Sequence, residues 1–156
     1  MIQKLERLVA KIGSSISWMI LLLALVVFLT VFLRYVVGFS RIWIQDLAIY
    51  LHGLVFMGVA GWSLAKGRHV RVDVFYDRMS PEKKKLIDRI GTIIFLWPAV
   101  GVIFYHSWPY VMDSWELLEG AKDTGGLPIT YIQKSFILLF CIVLFLQSLT
   151  IFRRSE

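Results

Sequence analysis

Charge is what this sequence has least of. Lysine, arginine, aspartate and glutamate make up 18% of its 156 residues, against about a quarter in ordinary soluble domains. Cysteine is nearly missing. The single Cys141 lies in an apolar run, which excludes a disulfide framework or a cysteine-based metal cluster built within the chain. There is no Gly-rich phosphate loop, no Ser/His/Asp set at one depth and no metal-ligand spacing, so catalysis has no residue pattern to rest on. The first apolar stretch is too long for a signal h-region and no small-x-small site follows it. An uncleaved first span is therefore expected rather than a signal peptide.

What the chain has in quantity is hydrocarbon. It is 58% hydrophobic and 15% aromatic, with six tryptophans. A soluble fold of this size cannot cover so much apolar surface, so lipid is the expected solvent. Four segments each approach the ~20 residues needed to cross a bilayer: Ile16 to Val37, Leu47 to Ala65, Ile90 to Val111 and Ile129 to Phe152. Each must be a helix there, because no other single segment satisfies its own backbone polar groups. The reading is one all-α integral membrane domain over residues 1–156, with a charged loop over 66–89. Pro98 and Pro109 are expected to break the third span. Ahead of the first, Ile2, Leu5, Val9 and Ile12 recur at helical spacing opposite Lys4, Arg7 and Lys11. That is an amphipathic N-terminal segment, lying on the surface or extending the first helix into the headgroups.

The net charge is +6, but the basic residues stand in short blocks between apolar runs, without the interleaved aromatics of a nucleic-acid surface. They act instead as topology signals. With both termini cytoplasmic, thirteen Lys and Arg fall inside and four, Arg34, Arg41, Lys122 and Lys134, fall outside. The bias predicts cytoplasmic termini. The outer loop between spans three and four is acidic, with Asp113, Glu116, Glu119 and Asp123. The first three fall on one side if the third helix continues, and read as a solvated face or a negative docking patch. Trp43 and Trp62 bracket the second span at a rise of roughly 28 Å, placing an indole near each interface.

Residues 66 to 85 concentrate seven basic and three acidic side chains. Charged or polar residues from His69 to Asp73 alternate with Val70 and Val72, the period of an extended strand or of a chain pressed on an apolar surface. Ser80, Pro81 and Glu82 then read as a helix start, with Ser80 as N-cap.

Ionisable residues within spans are functional candidates by default. Arg34, Asp46, His106 and Lys134 lie near outer ends, where interfacial anchoring accounts for them. A salt bridge from Asp46 to Arg34 or Arg41 is expected across the first loop. His52 lies deeper. Two histidines on neighbouring helices can hold a haem, so His52 and His106 open an alternative: a haem-binding four-helix cytochrome b, or the membrane anchor of a respiratory enzyme. Gly58, Gly61 and Ala65 form a small-residue stripe that serves either internal packing or contact with another protein.

Trp43, Asp46, Tyr50, "VFMGVA" at 55–60, "KGRHVRVD" at 66–73 and "GLPITYI" at 126–132, in this order, resemble the small membrane subunit of TRAP transporters, the DctQ-type family. The likeness covers nearly the whole chain. It implies a non-enzymatic subunit of the bacterial inner membrane without a cofactor of its own. A periplasmic solute-binding protein delivers an organic acid, and a large multi-span carrier subunit moves it inward with sodium. The small subunit widens the carrier's scaffold in the phospholipid bilayer and helps form the docking surface. The resemblance places the family's acidic position at Asp46 and its loop positions at His69 and Asp73, in structural roles. Arg34, Trp43, Tyr50, Gly58, Gly61, Arg71 and Pro128 join them as subunit-interface or structural candidates. Asp113, Glu116, Glu119 and Asp123 become candidates for docking the binding protein. The chain departs from the family at Asp46, where glutamate is more frequent, and at His52, where an apolar or aromatic residue is usual.

Overall fold

A computed structural model of the chain describes residues 2–65 and 79–151. His69, Arg71 and Asp73, with the extended segment read around them, lie outside the described residues. Among those described there is no strand, and four helices are long and apolar enough to cross a membrane. The protein is an all-α, multi-pass membrane protein.

Helix α1 runs unbroken over Ile2–Phe32, so the amphipathic N-terminal segment continues directly into the first span. Its last turn, Leu33–Val37, widens to a π-helix and stops at Gly38, whose φ of 73° only glycine adopts without strain. Helix α2, Ile42–Ala65, starts one turn earlier than the charge at Asp46 suggested, because Ile42, Trp43 and Ile44 already belong to the apolar helix. Helix α3, Pro81–Gly91, opens with Ser80 at the N-cap in extended conformation. The Ser80 hydroxyl makes no cap hydrogen bond; its carbonyl accepts from Lys84 N–H at 3.0 Å. A π-turn, Thr92–Leu96, joins α3 to α4, Trp97–Glu116.

Neither proline breaks this third span, contrary to the expectation from sequence. Pro98 stands in the first turn of α4, directly after the π-turn, where the Trp97 N–H reaches Thr92 O. The wider turn absorbs the hydrogen bond that proline cannot donate. Pro109 lies inside α4 with the helix continuing to Glu116. The span therefore covers Pro81–Glu116, 36 residues, or about 54 Å of helix. That exceeds the ~30 Å hydrocarbon core by about 24 Å, and the charged segment from Glu82 to Arg89 supplies about half of the surplus. Helix α5, Thr130–Ile151, completes the set.

The helices pack in a row rather than a closed bundle. Helix α1 lies on α2, α2 on α5, and α5 on α4, with a smaller contact between α1 and α5. Burial follows this order: 33% of the α5 span is inside the chain, but only 11% of the α1 span. Cys141 and Leu144 of α5 meet Val100 of α4 in the apolar core, flanked by Ala60 and Leu64 of α2. Further along α5, Ser148 accepts a hydrogen bond from Trp97 Nε1 at 2.9 Å.

The glycine stripe is absorbed by this internal packing. A Cβ at Gly61 would overlap the Val143 side chain and stand 2.9 Å from the Val143 carbonyl oxygen of α5. One at Gly58 would meet Ile16 Cδ1 of α1 at 2.5 Å, and Gly13 of α1 is pressed against Trp62. Trp62 is thus half-buried between helices rather than an interface marker. The two close approaches differ in kind. Ile16 Cδ1 ends a flexible side chain and can yield; a backbone carbonyl cannot. Gly61→Ala should destabilise the protein by about 1–3 kcal/mol, and Gly58→Ala by clearly less. Melting midpoints of the two variants in one detergent test this order.

Candidate functional site at the acidic end

The loops at 38–41 and 117–129 mark one end of the row, and most sequence-predicted candidates gather there. Asp46 sits just past the first turn of α2. Its Oδ2 accepts the backbone N–H of Leu127 at 2.9 Å. The expected salt bridge to Arg34 or Arg41 is not formed, because this carboxylate turns toward the α4–α5 loop. Arg34 and Arg41 are exposed, with their guanidinium groups 5.8 and 5.3 Å from the ring centroids of Tyr35 and Phe39. Gly126 makes the Asp46 contact possible: a Cβ there would lie 2.6 Å from Asp46 Oδ2. One turn along α2, the Tyr50 hydroxyl bonds Thr130 Oγ1 at 3.1 Å. Asp46 and Tyr50 together fasten the start of α5 and the loop before it to α2. Pro128, two residues before α5, and Trp43 are exposed beside them.

A second set of bonds closes the other side of the loop. Helix α4 ends at Glu116, so Glu119 is not on the helical face shared by Asp113 and Glu116. The chain turns back through a Schellman-type stop: Glu119 N–H donates to Ser114 O at 3.0 Å and Leu118 N–H to Trp115 O at 3.2 Å. The residue at the left-handed position is Leu118, with φ of 44°, where glycine is usual. This turn carries the Glu119 side chain inward. Its Oε2 accepts from Ser114 Oγ at 2.6 Å and pairs with Lys134 Nζ of α5. The Lys134 ammonium also lies 3.9 Å from the Tyr110 ring centroid, a cation–π contact that helps hold it near the membrane surface. Trp115 Nε1 donates to Ser135 Oγ at 2.8 Å, and its ring meets Tyr131 edge-on at 4.7 Å.

The hydrogen bonds from Lys134 first, then from Ser114, hold the Glu119 carboxyl below its ordinary value of 4.5, against a smaller opposing effect of burial. Of the acidic residues at this end, Glu119 and Asp46 are engaged internally. Asp113, Glu116 and Asp123 remain exposed. No residue pattern marks the Ser114–Glu119–Lys134 link, because it depends on a left-handed leucine.

The two histidines are not brought together. His52 is exposed on α2, where its ring stacks on Phe56 at 6.2 Å. His106 is exposed on α4, in a surface pocket lined by Phe104, Tyr105, Trp108 and Pro109 of the same helix. Helix α5 packs between α2 and α4. The pair therefore does not fit a haem held between neighbouring helices.

Fold and site define a class: a multi-pass membrane protein whose helices form a row, latched by polar contacts at the acidic end. Over residues 23–155 the chain matches the family described as Tripartite ATP-independent periplasmic transporters, DctQ component. It belongs to that family, the small membrane component of such transporters. No curated protein and no solved structure matched it.

Two outcomes test the latch. Because its folded-state value lies below the unfolded one, ionised Glu119 stabilises the fold above the unfolded value, and this is lost as pH falls through the folded value. Glu119→Gln should therefore flatten the loss of stability in acid, read as melting midpoint against pH. Leu118→Gly should stabilise the protein by up to about 1 kcal/mol, by relieving the left-handed strain.

Proposed function

We propose that this chain is the scaffold partner of a large carrier subunit in the bacterial inner membrane, and has no catalytic activity of its own. With the carrier and a periplasmic solute-binding protein it supports sodium-coupled uptake of an organic acid. The observation that carries this reading is the open row of helices in a chain of the DctQ family. Each helix satisfies its own backbone, yet the chain buries little of its side-chain surface, so it offers wide faces to a larger membrane protein.

Orientation follows from charge. The end holding both termini and the 66–80 segment carries most of the Lys and Arg and faces the cytoplasm. The latched end then faces the periplasm, where Asp113, Glu116 and Asp123 form a negative rim for the binding protein. Glu119 serves that rim indirectly, by fixing the turn beneath it. His69, Arg71 and Asp73 fall on the cytoplasmic side and hold the loop after α2 against the assembly.

The test is purification of the tagged chain in mild detergent, followed by reconstitution. A stoichiometric partner with ten or more spans is expected. The pair should take up an organic acid in vesicles only with sodium and binding protein present. Neutralising the rim with Asp113→Asn, Glu116→Gln and Asp123→Asn should raise the binding-protein concentration for half-maximal uptake roughly 3–10-fold at low salt, as for other charge-steered encounters. An unchanged requirement would remove the rim from the docking surface.

A further inference from the structure

Helix α2 has three sides, and two are filled. Toward α1 it presents Gly58 to Ile16 and Trp62 to Gly13. Toward α5 it presents Gly53 to Phe136 and Gly61 to Val143, with the Tyr50–Thr130 bond nearer the acidic end. The third side carries Ile49, His52 and Phe56, at spacings of three and four, and all three are exposed.

An imidazole is out of place on such a face. His52 lies six residues, about 9 Å, beyond Asp46 along the helix, in a span that ends at Leu64, and so within the hydrocarbon. Its ring stacks on Phe56 with the planes 11° apart, which leaves the nitrogens at the edge unengaged. In either protonation state it carries an N–H donor, and when neutral also an acceptor. Lipid chains offer no partner for these groups, and ionisable side chains within spans face protein or water. The open face of α1 is different: Leu21, Leu25, Phe28 and Phe32 present only hydrocarbon, which lipid solvates.

We propose that the Ile49–His52–Phe56 face of α2 is the seat of the large carrier subunit, with the His52 imidazole hydrogen-bonded to a polar side chain or free carbonyl of the carrier within the hydrocarbon. This rests on the reading of the chain as a carrier's partner and adds which face is used. The occupant is protein, because the imidazole needs a hydrogen-bonding counterpart that acyl chains lack. It is the carrier because transporters of this family supply a larger membrane partner, while the chain's own helices fill the other two sides.

The experiment uses the tagged full chain produced together with its carrier. A photo-crosslinking phenylalanine analogue replaces Phe56, or, as controls, Phe28 on α1 or Phe95 in the π-turn before α4. Irradiated membranes should yield a cross-link to the carrier from position 56 and from neither control. His52→Leu, which keeps the volume and removes the nitrogens, should lower carrier recovery about fivefold, the effect of one interhelical hydrogen bond in a membrane. His52→Gln, which restores a donor and an acceptor, should recover most of that loss. A cross-link from position 56 to a second copy of this chain, or to lipid alone, overturns the assignment of this face, as does undiminished recovery with His52→Leu. If the unmodified chain recovers no carrier at all, the subunit reading itself has failed.

Discussion

The close approach of α2 to α5 at Gly61 is the contact on which the rest of this structure depends. In lipid no hydrophobic force pushes helices together, because the tails are as apolar as leucine, and association rests on van der Waals packing at short range. Gly61 lets the Val143 backbone come near enough for that packing to act. Since α1 lies on α2 and α4 lies on α5, the packing of α2 on α5 is the main joint between the two halves of the row. The glycine stripe, which read equally well as an outward binding face, is therefore the internal seam. That frees the opposite side of α2 for another partner.

Packing at the seam sets how near the helices come; the polar latch sets their register. Two carboxylates do this from opposite sides of one loop. Asp46 accepts the Leu127 amide and so ties α2 to the chain just before α5. Glu119 takes Ser114 and Lys134 and so ties α4 to α5. Both sit where water and lipid meet, which is where a charge-assisted hydrogen bond is useful. Deeper, the desolvation of the ions would offset it; fully in water, it would be worth little. The strain at Leu118 belongs to the same device, because only a left-handed turn there directs Glu119 back over α4. The acidic groups that remain exposed are thereby held on a fixed surface rather than on a free loop.

How much of this could be read in the sequence depends on whether a feature is local. Four spans and an all-α fold follow from apolar length alone. The helix start at Ser80 and Pro81 follows from residue types that suit those positions wherever they occur. Pro98 and Pro109 were misleading: a π-turn precedes the first and the helix continues through the second, and neither has a sequence mark. Asp46 was legible as a special residue but not its partner: an arginine across a short loop is the nearer guess, and the actual donor is a backbone N–H 81 positions away. The direction in which Gly58 and Gly61 face, and the open side that bears His52, require the helix order in space. A periodicity on one helix cannot supply it.

The same distinction bears on function. A chain that spans a membrane four times can be self-sufficient only if its polar groups are either at the ends or inside. Among the described residues, the acidic end is latched, and the charged start of α3 extends the third helix beyond the hydrocarbon. The interior is thin, since α1 and α4 touch the rest mainly along one side each. An exception to the tidy division is His52, a hydrogen-bonding group on an outer face within the hydrocarbon. A soluble protein would hydrate such a group, and lipid cannot. On the proposed reading another protein surface meets it, and the family to which the chain belongs is that of tripartite transporters. On that reading the described helices satisfy their own backbones and leave one face to a partner, which is the physical meaning of the proposed scaffold role.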